Sequence, residues 1–321
     1  MTKLLNVLIV LLAAALVLVI VYPQIQQNRP LSVRFACDST TASLPMLVGV
    51  DESLFVKEKI IPTLVFYSDP DKALDDLFAG KTDVGVFPWS TVLKRLADKG
   101  DTLFILASQD YRTSLPVDGI VATAKSPVRS VNDLKGRRLA YPPQLRDYIP
   151  LFLTNISLTA EQVKLSEVPF SSLMDELTSG RADAAWLIEP LLCGLDSTQF
   201  RVIQMAALAR FVSQPFPGAC IGFSKSFPKR SRVAAGRLKV STDAAVAFSE
   251  SKADQARAVV GKYFKFCATS CGFCRLPEVQ RLNEINKPSV AALATRLKVA
   301  GVIKSEVETK GIFVDPATLK R

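Results

Sequence analysis

Three closely spaced cysteines are the residues most suited to chemistry. Cys267, Cys271 and Cys274 lie in the octapeptide CATSCGFC, at C-x3-C-x2-C spacing. Thiols so placed can hold an iron–sulfur cluster, hold zinc, or form a disulfide. A metal needs a fourth ligand, which Cys193 or Cys220 supplies only if the fold brings one of them near. The chain has six cysteines, and an even number favours disulfides where the folded body lies outside the cytoplasm. A local bridge, Cys271–Cys274 or Cys267–Cys274, is the expected use. Unpaired thiols and a bridge to a distant cysteine are the alternatives. The octapeptide follows a helical run ending near Phe266 and precedes Leu276-Pro277, which places it at a helix end and turn.

The C-x3-C-x2-C spacing resembles the cluster motif of radical S-adenosylmethionine enzymes. Those enzymes need the three cysteines early, with most of a barrel still to come, whereas only residues 275–321 follow here. Histidine is absent from the whole chain. That excludes a Ser-His-Asp triad, a Cys-His dyad and any histidine-containing zinc site. No catalytic residue, metal or cofactor is therefore assigned. The net charge of +10 is most simply a basic surface, and it also suits an anionic ligand or an anionic lipid surface. No dense basic run is interleaved with aromatics, so nucleic acid is not an expected partner.

The elements that must position any site follow from the patterning. Residues 4–22, LLNVLIVLLAAALVLVIVY, carry one polar residue, Asn6, and follow Lys3. At ~1.5 Å per residue such a helix spans roughly a bilayer core. The expectation is an uncleaved signal anchor in the inner membrane, single-pass, with the body extracytoplasmic. Strands are expected at 33–37, 63–67, 84–87, 103–107 and 119–124, with helices at 43–56, 70–78 and 91–97 between them. This alternation predicts mainly parallel sheet covered by helices. A second α/β set runs to about Phe216, a strand covers Cys220–Phe223, and the rest reads mostly helical through Val302. Two segments echo one another without gaps: LDDLFAGKTDVGVF at 74–87 and MDELTSGRADAAWL at 174–187. In each, a helix stops at a glycine, a basic residue follows, and an apolar strand begins.

Taken in order, LPMLVGVDESLF (44–55), ALDDLFAGKTDVGVF (73–87), SVNDLKGRRLAY (130–141), LMDELTSGRADAAWLIEP (173–190) and ACIGFSKSF (219–227) resemble the extracytoplasmic solute-binding proteins of ABC importers. The nitrate/sulfonate/taurine and thiamine-pyrimidine-precursor group is the branch they resemble most. The resemblance spans about residues 32–310. It implies a type II periplasmic-binding-protein fold, α/β, with two lobes joined by two crossing strands near Asp118–Ala124 and Cys220–Lys225. Lobe one would hold residues 31–118 and 224–321, lobe two residues 119–223, and residues 1–30 the anchor and linker. The implied activity is capture of a small polar or anionic nitrogen- or sulfur-containing ligand by a monomeric protein that closes and docks an ABC permease. An anchored sensor or accessory protein without transport is the alternative. A pyrimidine-precursor biosynthetic enzyme fits less well, because its relatives depend on a histidine and a run of cysteines that this chain lacks.

In open α/β sheets, ligands bind beyond the carboxyl ends of the strands. Five loops fall there. Ser39, Thr40 and Thr41 sit at a helix start, where they suit an anionic or polar head group or serve as caps. Trp89 and Ser90 follow a buried strand, with Trp89 expected to face the cleft and Trp186 the core. Gln109 and Asp110 precede the first crossing strand. Tyr141 and Arg146 flank a loop in which Pro142 and Pro143 replace the family's usual Gly/Ser residues, and Arg146 suits an acidic ligand group. Glu189 follows the echoed strand of lobe two.

Overall fold

The computed structural model describes residues 28–230, 232–267 and 270–313, together with residues 6, 9, 11–13, 15–17, 19 and 21. Two mixed sheets form its two lobes. The first contains β1 (Leu31–Cys37), β2 (Ile60–Phe66), β3 (Val84–Pro88), β4 (Leu103–Tyr111), β10 (Phe216–Ser224) and β11 (Glu278–Arg281), in the order β11-β4-β10-β3-β1-β2. The second contains β5 (Asp118–Thr123), β6 (Arg138–Tyr141), β7 (Lys164–Glu167), β8 (Ala184–Ile188) and β9 (Phe200–Met205), in the order β7-β6-β8-β5-β9. The chain passes between the sheets at residues 112–117 and 206–215.

Sequence sets which strands are central. Every residue of β3 (VGVFP), β8 (AAWLI) and β10 (FPGACIGFS) is buried, as uninterrupted small and apolar runs require when helices cover both faces. β10 lies antiparallel between β3 and β4, although more than a hundred residues separate it from either in sequence. The polar strand KLSE of β7 is exposed at an edge.

The internal echo is a structural repeat. The helices Pro70–Phe78 and Leu173–Thr178 precede Gly80 and Gly180, whose φ values of 73° and 69° only glycine adopts cheaply. Three residues on, each aspartate clamps an arginine on the neighbouring parallel strand. Asp83 Oδ2 accepts from Arg34 N and Nε, both at 2.9 Å, while Oδ1 accepts from Nη2 at 3.0 Å. Asp183 repeats the pattern with Arg138, at 2.9, 3.1 and 2.8 Å. The Asp–x–Leu–x–x–Gly–basic–x–Asp string thus carries a strand-joining clamp in each sheet.

Four expectations need correction. The sheets are mixed rather than mainly parallel, because β5, β9, β10 and β11 pair antiparallel with their neighbours. The helix expected over 43–56 is a 3₁₀ turn (Thr41–Ser43) and two helices, Leu44–Asp51 and Leu54–Lys57, broken at Ser53 with φ of 57°. The region expected to be helical through Val302 contains β11, whose sequence EVQR carries little strand signal and pairs only as an edge on β4. No disulfide joins the described cysteines, so the Cys271–Cys274 bridge does not form. Both residues are buried in an apolar cluster with Leu47, Val48, Val260 and Phe264, where a thiol packs as a small hydrophobe. The Cys267 side chain lies outside the described residues. The membrane span expected over residues 4–22 also falls largely outside them, and among the described residues no helix is long and apolar enough to cross a membrane.

The two clamps differ in burial, which sets an expected order of stability loss. The Asp83 side chain is 6% exposed and that of Asp183 19%. Asp83→Ala is expected to lower the unfolding free energy by about 2–3 kcal/mol, since charge-assisted bonds to a buried carboxylate are lost. Asp183→Ala is expected to cost less. Urea unfolding of both variants checks the order, and an equal or reversed loss contradicts it.

Candidate ligand-binding cleft

The carboxyl ends of β1, β3 and β4 face the carboxyl ends of β6 and β8 across the seam between the lobes. A cavity of about 20 Å³ lies there, lined by Asp38, Thr40, Tyr111, Gln144, Tyr148 and Phe216 among others. That volume holds about one water molecule. Aromatic rings fill the rest. Tyr148 packs edge-on against Phe216 at 4.9 Å between centroids, and Tyr111 lies against Phe216 at 5.9 Å. Gly218 makes room for Tyr111: a Cβ there would stand 2.3 Å from the phenol ring. Tyr148 comes from lobe two, and its hydroxyl accepts the Ser90 amide of lobe one at 3.0 Å.

One acidic group lines this cavity. The Asp38 carboxylate accepts from the Thr40 amide at 3.1 Å, the Thr40 hydroxyl at 2.9 Å and the Ser43 hydroxyl at 2.9 Å. Four other amides of the loop are also engaged. Asp38 N donates to Ser43 Oγ at 2.8 Å, Thr41 N to Glu189 O at 3.1 Å, Ala42 N to Thr40 Oγ1 at 3.1 Å and Ser43 N to Thr40 O at 3.2 Å. Asp38 thus takes up donors of this turn, the Thr40 amide and the Thr40 and Ser43 hydroxyls. Burial pushes its carboxyl above the ordinary carboxylate range, against the opposing hydrogen bonds from Thr40 and Ser43. No lysine or arginine lines the cavity.

The residues expected to bind ligand divide into four groups. Thr40 lines the cavity, with Ser39 half-buried beside it and Thr41 buried behind, bonded to Glu189 of the other lobe. Ser90 and Gln109 are buried within a strand-end layer. Ser90 Oγ has no partner, while Gln109 donates to Ala42 O at 2.7 Å and leaves its own carbonyl oxygen unpartnered. Trp89, Asp110 and Tyr141 do not line the cavity. Trp89 is fully buried, its indole donating to Ser108 Oγ at 2.9 Å and packing against Phe313, because the chain turns straight from β3 into a helix and carries the ring beneath the strand ends. Asp110 accepts from Gln280 of β11 at 3.0 Å. Arg146 bridges the lobes at the rim, and Glu189, fully buried, joins them through its carbonyl oxygen. Arg146 binds Glu167 at 2.5 Å, Asp71 at 2.6 Å and Asp69 at 3.2 Å, beside Lys94, which contacts Asp71 and Asp147. The bonds to Glu167 and Asp69 raise the Arg146 pKa further. Its charge is therefore spent on this protein's own carboxylates.

Sequence reasoning missed Asp38, Tyr111, Gln144, Tyr148 and Phe216. The first two stand in loops already singled out, beside Ser39 and Asp110, and position alone pointed to them. Gln144, whose carbonyl oxygen is buried without a partner, and Tyr148 belong to the turn after Tyr141. A wider groove of about 590 Å³, lined by Leu192, Phe200, Arg201, Val202, Met205 and Arg275, runs along β9.

The sequence matches the family model described as NMT1/THI5 like over residues 40–210, and the chain belongs to that family. No curated protein matches it by sequence. Among solved structures it is similar to the periplasmic aliphatic sulphonate binding protein SsuA of Escherichia coli, at 17% identity and TM-score 0.65, over 88% of this chain and 97% of that one. It is similar to the alkanesulfonate-binding protein SsuA of Xanthomonas axonopodis pv. citri bound to MOPS, at 15% identity and TM-score 0.68, over 87% and 96%. The periplasmic nitrate-binding protein NrtA of Synechocystis PCC 6803 aligns at 12% identity and TM-score 0.61, over 74% and 68%. These likenesses establish the periplasmic-binding-protein fold.

Two buried carboxyls flank the first crossing. Burial pushes both Asp110 and Asp118 up to about 6 from the ordinary 3.8. Asp118 Oδ2 accepts from Trp186 Nε1 at 2.8 Å and Leu208 N at 3.0 Å, and its Oδ1 has no partner. Between those two pH values the folded state holds protons that the unfolded chain has released. The stability these groups supply is full below pH 3.8 and lost as pH rises through 6. Asp118→Asn is therefore expected to remove part of that decline, measured as urea midpoints of both proteins from pH 4 to 7. Parallel profiles would contradict this reading.

Proposed function

We propose that the protein is the extracytoplasmic solute-binding component of an ABC importer, taking a small, flat, nitrogen-containing solute rich in hydrogen-bond donors or positively charged. The observation that carries the ligand class is Asp38. At the turn where an anion would rest, the protein has placed its own carboxylate and spent the surrounding amides on itself. A sulfonate or nitrate would meet an acidic side chain, repelling when ionised, with no lysine or arginine lining the cavity to offset it. An amine or amino-substituted ring would meet an acceptor, with Tyr111, Tyr148 and Phe216 to stack on. Gln144 adds an unpartnered carbonyl oxygen, again an acceptor. This charge pattern narrows the polar-or-anionic expectation toward donors and cations.

Binding requires the lobes to part, since the closed cleft holds about 20 Å³. Each lobe supplies part of the site, so a solute gains its full contacts only when they meet again. That differential affinity shifts the open–closed equilibrium. The closed form then docks a membrane permease. The apolar run at 4–22 is proposed to hold the body at the same membrane.

Calorimetry on amino-pyrimidines, alkylamines, alkanesulfonates and nitrate tests the ligand class, with small-angle scattering reporting closure. Amino compounds are expected to bind and compact the protein. Asp38→Asn is expected to weaken them at least tenfold, about 1.4 kcal/mol. Binding of sulfonate or nitrate, tightened by Asp38→Asn, would overturn the ligand class.

A further inference from the structure

The seam between the lobes carries a second convergence of side chains. Glu189 directly follows β8, and Cys193 lies four residues on in the same lobe. Cys274 ends the 3₁₀ turn Cys271–Phe273 in the other lobe. One carboxylate oxygen of Glu189 and the two Sγ atoms of Cys193 and Cys274 all lie within 4.8 Å of one another. Glu189 is fully buried, Cys274 is 1% exposed and Cys193 is half-buried. Cys193 N donates to Glu189 Oε2 at 3.0 Å, which fixes the carboxylate toward the thiols. The Cys274 thiol stands 3.8 Å from the same oxygen.

We propose that Cys193, Cys274 and Glu189 bind one thiophilic divalent cation of the zinc class, tying the two lobes together at the seam. Two thiolates and a carboxylate select zinc-like ions over calcium and magnesium, which prefer all-oxygen sites. Ligand atoms on tetrahedral zinc stand ~2.0–2.3 Å from the metal and so under ~4 Å apart, which requires a contraction of less than ~1 Å here. The charges also close. Two thiolates and one carboxylate meet a dication and the Arg275 guanidinium, whose Nη1 lies 3.5 Å from Glu189. Binding releases the two thiol protons. The fourth position falls to water, at the half-exposed Cys193 side. Glu189 also accepts the Thr41 amide through its carbonyl oxygen, so a cation there steadies the turn that carries Asp38.

The full chain, purified under reducing conditions, is titrated with Co²⁺ alone and then with Zn²⁺. One Co²⁺ per chain is expected, with a thiolate-to-cobalt charge-transfer band that Zn²⁺ abolishes and Ca²⁺ and Mg²⁺ leave unchanged. Cys193→Ser and Cys274→Ser are each expected to weaken Co²⁺ binding at least tenfold, and Cys220→Ser to leave it intact. Glu189→Gln is expected to weaken it as well, and the two cysteine variants decide the matter should that one fail to fold. Absence of the band overturns the proposal, as does a band that survives in the Cys193→Ser/Cys274→Ser double variant. The readout involves no solute, so the result stands apart from the ligand class proposed for the cleft.

Discussion

β10 lies antiparallel between β3 and β4, and the two-lobed arrangement depends on that placement. A strand reached only after the second lobe has been built completes the centre of the first sheet. The chain must therefore cross the seam twice, at 112–117 and 206–215. Two crossings hold the lobes side by side with their strand carboxyl ends facing each other, where a solute would contact both. Gly218 and Phe216 at the start of β10 sit under Tyr111 and Tyr148. The strand that completes the first sheet thus also supplies part of the cleft wall.

Electrostatics then decides what the cleft accepts. The net charge of +10 suggested an anionic ligand, but charge at the surface and charge at the site are separate quantities. Arg146 and Lys94, the cations nearest the rim, are paired to Asp69, Asp71, Asp147 and Glu167. Among the residues lining the small cavity, Asp38 is the one acidic or basic side chain, and none is a lysine or arginine.

The α/β order, the echoed helix–glycine–strand unit and the central strands were legible because they rest on local rules: apolar runs, glycine stops and capping residues. The echo was legible down to Asp83 and Asp183, although their arginine partners, Arg34 and Arg138, lie 49 and 45 residues earlier in the chain and could not be read from spacing. β11 was missed because EVQR forms a strand only by borrowing the edge of β4. In the site, the loops were legible and the orientations were not. Trp89 was expected in the cleft because a tryptophan after a buried strand is well placed to reach it. Its direction is set by Ser108 and Phe313, which are distant in sequence. Tyr148 takes the position over the cleft from the opposite lobe, a placement that no single-lobe pattern encodes.

The cysteines show the same division between spacing and placement. C-x3-C-x2-C invites a local answer, a cluster or a short bridge, yet Cys271 and Cys274 are not bridged to each other. Cys274 instead meets Cys193 and Glu189 from the other lobe. Closure is held by three kinds of contact along one seam: rim ion pairs around Arg146, the aromatic centre around Phe216, and this thiol–carboxylate cluster. Ion pairs between partly exposed groups contribute little each and weaken with salt. The aromatic centre must give way for a solute to enter. The thiol–carboxylate cluster differs from both, because its strength depends on what it binds rather than on contacts already present. A cation there would add holding force at the seam without occupying the space that Tyr111, Tyr148 and Phe216 must yield to a ligand.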